Sequence, residues 1–296
     1  MISSIFGGSS SAQQLPRDIK EAVQKCRQAT QDSLKDRHSR MRVNFPVGTQ
    51  FGVEPLSKQQ KRKQQSQASA SIQQRSDREL ARVFVEMFQP VGGENIVVVF
   101  PTQTSCTAAQ KKWRGDFGAS CQMVSSEKPQ KKKTKSAKRK GFAAKMAEEF
   151  SDDGDSTTRG GPNLKLKEDT QVAIFVAPTF KEMPIIERIS DEVGMGTLLI
   201  LLNARDIDNE SLDPFETVFC LTAAPQADAP GCLLYRTYKS EWILARKPTV
   251  GPPKTILVTP AAPTSDDCRA AYEGLDISAV ERNVETAMEN VANWLK

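Results

Sequence analysis

Between Val172 and Arg205 two unbroken apolar runs, V-A-I-F-V-A-P and T-L-L-I-L-L-N-A-R, flank a stretch with apolar positions at helical spacing that closes on D-E-V-G. Continuous apolar runs of strand length belong to strands buried on both faces, so the pattern predicts one β-α-β unit of a parallel sheet. A second continuous run, Ile96–Phe100, predicts another central strand.

The rest of the chain alternates helical and strand-like periods. Ile19, Val23, Cys26, Ala29 and Leu34 predict a helix over Leu15–Arg40, with Pro16 at its start, where a missing N–H is harmless. Met41, Val43 and Phe45 alternate with polar neighbours as a short strand, and Val47–Gln74 reads as a Gln-, Ser- and Lys-rich loop. Ser76 and Glu79 have capping-box spacing before Leu80, Val83, Phe84, Met87 and Phe88, which predicts an amphipathic helix starting there. Another helix is expected over Ser105–Trp113.

From Gly115 to Gly161 the pattern breaks into a Lys-rich tract, a short helix candidate at Phe142–Phe150 and an acidic, Gly-rich stretch. So little apolar surface does not offset the entropy of ordering, and residues 118–163 are expected to be largely disordered. Downstream, Thr217–Thr222, Cys232–Thr237, Trp242–Ala245 and Ile256–Val258 read as shorter strands, with a hairpin at Lys239 and Ser240. Ser278 and Glu281 repeat the capping signal before a C-terminal helix running to Leu295. The expected architecture is α/β: a three-layer, Rossmann-like, mostly parallel sheet with an antiparallel C-terminal extension and a disordered basic insertion. Residues 15–296 are expected to form one domain behind a flexible N-terminus, 1–14.

Charge changes this picture little. The chain carries 41 basic and 36 acidic residues, a formal +5. Lys58–Lys63 holds four basic residues and Lys128–Lys140 holds eight, with no acid in either; the other 29 basic residues stand against all 36 acids, about −7. A basic fold built for nucleic acid is not what this composition describes, and the lysine tract, with no interleaved aromatics, reads as a solvated insertion. Six scattered cysteines without a C-x-x-C pair argue for free thiols rather than a disulfide framework. No apolar run approaches the ~20 residues of a membrane span, and the first residues carry neither the basic nor the apolar region of a secretory leader.

The residues exclude more chemistry than they suggest. Gly194-Met195-Gly196-Thr197 resembles a dinucleotide fingerprint, but Leu199 stands where a third glycine belongs and the turn precedes its strand instead of following it. It reads as a helix C-cap and α-to-β turn. No phosphate-loop or nucleophile-elbow motif occurs, His38 is the single histidine, and no cysteine spacing suits zinc. No cofactor, metal site or catalytic residue is expected. A ligand or partner site in an open α/β sheet lies beyond the carboxyl ends of the strands, which nominates Thr102, Thr104, Thr179, Asn203 and Arg205. Each also has a plain structural role available, as a cap, a turn former or an ion-pair member. Tyr235 and Trp242 are candidates for a partner-facing aromatic pair or for core packing.

L-P-R-D-I-K-E-A-V, R-I-S-D-E-V-G-M-G-T-L-L-I-L-L-N-A-R, A-P-G-C-L-L-Y-R-T-Y and E-W-I-L-A-R-K-P together resemble the domain of unknown function numbered nineteen-ninety-five. This is a family of photosynthetic organisms that includes chloroplast Low PSII Accumulation Three and a domain attached to a chloroplast adenylate kinase. The resemblance runs from Leu15 to Lys296. It implies a stromal chloroplast protein and a non-enzymatic factor assisting photosystem II assembly, with protein partners and no catalytic residues to carry over. The alternative, from topology and the fused kinase relative, is a domain binding a nucleotide or phosphometabolite; cytoplasmic placement is the alternative to the plastid.

Overall fold

The computed structural model describes residues 14–46, 49, 68–115, 117–127, 161, 163–247 and 253–275. Both lysine tracts, most of the insertion expected at 118–163 with its helix candidate Phe142–Phe150, the helix expected from Ser278, and residues 1–13 of the expected flexible N-terminus lie outside them. The chain divides into two compact units: His38–Arg42 with Gln50–Glu216, and Met1–Arg37 with Val43–Thr49 and Thr217–Lys296.

The first unit holds the parallel strands. Its elements are α2 (Ala68–Met87), β2 (Ile96–Phe100), α3 (Gln103–Lys112), β3 (Gln122–Ser125), β4 (Val172–Val176), α4 (Met183–Val193), β5 (Leu198–Leu202) and the single turn α5 (Asn209–Leu212). The strands run in the order β3-β2-β4-β5, each pair parallel, with Ile174 opposite Val98 and Ile200. Every residue of β2, β4 and β5 is buried, as their continuous apolar runs require. Because side chains alternate across a sheet, Val97, Val99, Ala173, Phe175, Leu199 and Leu201 share one face, where Met183, Ile186 and Ile189 of α4 pack on them. α2 also packs on β4 and β5, and Trp113, just past α3, tilts against Phe100 with ring centroids 6.0 Å apart.

The second unit holds α1 (Ile19–Lys35), the antiparallel strands β6 (Glu216–Ala223), β7 (Cys232–Thr237), β8 (Trp242–Arg246) and β9 (Lys254–Thr259), and α6 (Ser265–Glu273). Each strand pairs with the next, with one irregularity at Leu244/Ala245. β1 (Arg40–Asn44) is divided. In the first unit, Leu199 N–H donates to Ser39 beside its start at 2.8 Å; in the second, Phe45 just past its end stacks on Phe219 at 4.8 Å. Phe219 meets Tyr235 edge-on at 6.0 Å. Tyr235 is fully buried and Trp242 is buried with Arg236 over its ring, so the hairpin's aromatics belong to packing.

The class is the mixed α/β one that the hydrophobic pattern predicts, parallel strands first and an antiparallel extension after them. Three elements depart most from the expected pattern. α2 begins at Ala68, eight residues before Ser76, which lies inside the helix with its hydroxyl buried and lacking a hydrogen-bond partner. The Ser76/Glu79 spacing was a chance match inside a sequence that simply continues helical. β3 falls where disorder was expected; four residues with little apolar signal become a strand because β2 offers an edge to pair with, a tertiary effect. α6 was not anticipated, although Thr264 and Asp267 form its reciprocal capping box.

Candidate functional site

The carboxyl ends of β4 and β5 carry the nominated Thr179, Asn203 and Arg205. The backbone there is unusual: Ala177, Asn203 and Asp206 adopt left-handed conformations with φ of 47°, 52° and 52°. Asparagine tolerates this region, whereas alanine pays steric strain, which is held by the surrounding bonds. Ala177 N–H donates to Leu202 at 2.7 Å and Arg205 N–H to Pro178 at 2.9 Å, so the two strand ends are laced together.

The turn at residue 203 aims the Asn203 side chain at α2. Its amide donates to Asp77 Oδ1 at 2.8 Å, and Arg205 Nη2 reaches both carboxylate oxygens, at 2.8 and 2.7 Å. With its amide oxygen facing Arg205, Gln73 accepts from Nη1, Nε and Nη2 at 2.8, 3.1 and 3.2 Å. The Asp77 side chain is 5% exposed and that of Arg205 25%. Burial raises the Asp77 carboxyl above its ordinary range, opposed by the hydrogen bond from Asn203 and by the charge and hydrogen bond of Arg205. Asp77 and Gln73 were absent from the nominated set: an Asp at mid-helix looks like a solvent-facing residue, and only the polar groups after β5 hint that a partner must exist.

The threonines are occupied separately. Thr102 caps α3, its hydroxyl oxygen accepting from Ser105 N–H at 3.2 Å while the hydroxyl donates to Ser105 Oγ at 3.0 Å. The next amide, Gln103 N–H, donates to Glu127 at 2.9 Å, so a carboxylate of the protein already sits at that helix N-terminus. Thr104 is exposed in the first turn of α3. Thr179 donates through its N–H and hydroxyl to Glu182 at 2.8 and 2.7 Å. Thus Asn203 and Arg205 converge on one carboxylate, that of Asp77, while Thr102 and Thr179 bond within their own turns, to Ser105 and Glu182.

At the opposite end of α4, Gly194 is the C-cap with φ 55°, as the turn reading predicted. Arg40 closes it: Nε donates to Ser190 Oγ at 2.7 Å, Nη1 to Thr197 O at 2.9 Å, and Nη2 to Ser190 O at 2.8 Å and to Gly194 O. The six cysteines are buried and unbridged. Burial pushes Cys106 and Cys232 up to about 11 and Cys121 to about 12, a poor setting for a nucleophilic thiolate. Among the described residues no three metal-binding side chains cluster, and no helix is long and apolar enough to cross a membrane.

The sequence matches the family described as "Domain of unknown function (DUF1995)" over residues 16–270. The chain belongs to that family. No curated protein and no solved structure matches it.

Proposed function

We propose that this chain is a non-enzymatic interaction or assembly factor of the chloroplast stroma, acting through protein partners in the biogenesis of photosystem II. The observation that supports it is the engagement of Arg205 by Asp77. The cation most suited to seize a ligand phosphate at the strand ends is neutralised from within, and the neighbouring α3 N-terminus is answered by Glu127. These groups hold loops in fixed shapes, which suits a docking surface better than an anion pocket. The left-handed Ala177 and Asn203 favour the second reading, a bound nucleotide or phosphometabolite, since backbone strain gathers at ligand sites.

Affinity purification of the tagged full-length chain from a photosynthetic host, washed at moderate salt, separates the two. Recovery with photosystem II assembly intermediates is the expected result. A partner-free protein outside the plastid would overturn it, and stabilisation by a nucleotide or sugar phosphate beyond that given by inorganic phosphate would establish the second reading.

A further inference from the structure

We propose that Met195 is a modification site for oxidants of the peroxide class, its thioether passing to the sulfoxide before any other described methionine and before any of the six buried cysteines. The inference stands apart from the assembly reading and rests on the turn between α4 and β5.

That turn presents the sulfur to solvent. Met195 is 77% exposed, against 0% for Met41 and 3% for Met183, while Met87 and Met123 are half-buried. Its neighbours on both sides are glycines in open surroundings. A Cβ added at Gly194 would meet nothing within 4 Å, and one at Gly196 would meet only Val193 O, at 4.0 Å. The turn is nonetheless held in place, because Arg40 donates to Thr197 O at 2.9 Å and to Gly194 O. Those bonds end on backbone carbonyls, so an oxygen added to the Met195 side chain breaks none of them.

Thiols are ordinarily the first sulfur groups to meet a peroxide, since the thiolate is a strong nucleophile. Here the order is inverted. All six cysteines are buried. Burial pushes Cys106 and Cys232 up to about 11 and Cys121 up to about 12, so at pH 7 roughly one such thiol in ten thousand, or fewer, is ionised. A thioether has no proton to lose, and access alone limits it.

The step balances with hydrogen peroxide as the oxidant. A sulfur lone pair attacks one peroxide oxygen, the O–O bond breaks, an S–O bond forms, and the second oxygen leaves as water with both protons. Sulfur is oxidised by two electrons and the peroxide is reduced. An apolar side chain thereby becomes polar at a surface position, which alters its hydration and leaves the core untouched.

The test is peptide mapping by mass spectrometry of the full chain after timed exposure to hydrogen peroxide at pH 6, 7 and 8, with thiols counted afterwards in urea. The Met195 peptide should gain one oxygen ahead of those holding Met41, Met87, Met123 and Met183, at a rate that pH leaves unchanged. All six thiols should remain countable at that stage, Tm should move by no more than about 2 °C, and a methionine sulfoxide reductase should restore the thioether. Loss of a thiol before Met195 is oxidised overturns the proposal. So does earlier oxidation of any of the other four described methionines, or a Met195 rate that climbs with pH.

Discussion

Asp77 and Arg205, 128 residues apart, meet through a single guanidinium nitrogen, Nη2, that bridges both carboxylate oxygens at 2.8 and 2.7 Å. The bond ties the middle of α2 to the loop leaving β5. Because Asp77 is 5% exposed, removing its partner strands a carboxylate away from water. Arg205→Ala should cost about 3–5 kcal/mol, the usual penalty for breaking a buried pair from one side. Replacing both residues with Ala should cost less than the sum of the two single changes, by 0.5 kcal/mol or more of coupling. Urea denaturation of the four chains measures this, and simple additivity would show that the pair is not a coupled unit.

The turn between α4 and β5 makes a different demand. Gly194 has φ 55° and ψ −148°, a conformation open to glycine and strained for other residues. A Cβ there would meet nothing within 4 Å, so crowding plays no part. Gly194→Ala should therefore destabilise by about 1–3 kcal/mol through backbone strain alone. Arg40→Ala should also destabilise, because it frees carbonyls of Ser190, Gly194 and Thr197 at once. Chemical denaturation of each variant reads the loss; a Gly194→Ala chain as stable as wild type would mean the turn relaxes to another shape.

Ile186 of α4 is fully buried in the same core cluster as Val97, Val99, Phe175 and Leu201 of the sheet. Ile186→Ala removes three carbons and leaves a cavity that rigid strands on one side fill poorly. The expected loss is about 2–5 kcal/mol, with Ile186→Val costing about 0.5–1.5. Equal melting curves for Ala and wild type would place the core elsewhere.

The thiols give a test that needs no substitution. All six are buried, and burial drives the thiols of Cys106, Cys121 and Cys232 to about 11, 12 and 11. At pH 7 the folded chain should react with a thiol reagent no faster than it opens, whereas the chain in concentrated urea should titrate all six at once. Rapid labelling of any one thiol under native conditions would contradict the packing around it.

What could be read in advance follows from which forces are local. Strands β2, β4 and β5 and helix α4 declare themselves because every residue of those strands is buried and α4 has one apolar stripe, so composition alone encodes the environment. The Gly194 turn was legible for a similar reason: a glycine between a helix and a strand has a specific backbone task. β3 was hidden because its identity depends on an edge supplied by β2, and α6 because its cap uses Thr264 with Asp267 on a helix only nine residues long. Among the candidate site residues, Asn203 and Arg205 were nominated by topology, since they follow a parallel strand, and the structure joins them on Asp77. Their partner Asp77 was not, because nothing in R-S-D-R-E says which of its charges turns inward.

Acid should loosen the second unit through the ends of its helices. At α1, Glu21 accepts from the backbone and side chain of Arg17, both at 3.0 Å, and these bonds lower its carboxyl from the ordinary 4.5 to about 2. At α6, Asp267 accepts from Thr264 N–H and Oγ1–H at 2.9 and 2.8 Å, which holds it below the usual range as well. A carboxyl whose folded value is depressed contributes stability that is complete above its unfolded value and is lost as pH falls through the folded one. For Glu21 that window runs from about 4.5 down to about 2. Glu21 is partly and Asp267 largely exposed, so the effect should be modest and weakened by salt. Melting temperature should decline across this window in the wild type and decline less in Glu21→Gln, which starts lower at neutral pH and has no proton to take up. An identical acid slope in the two chains would show that the Arg17–Glu21 contact does not survive in solution.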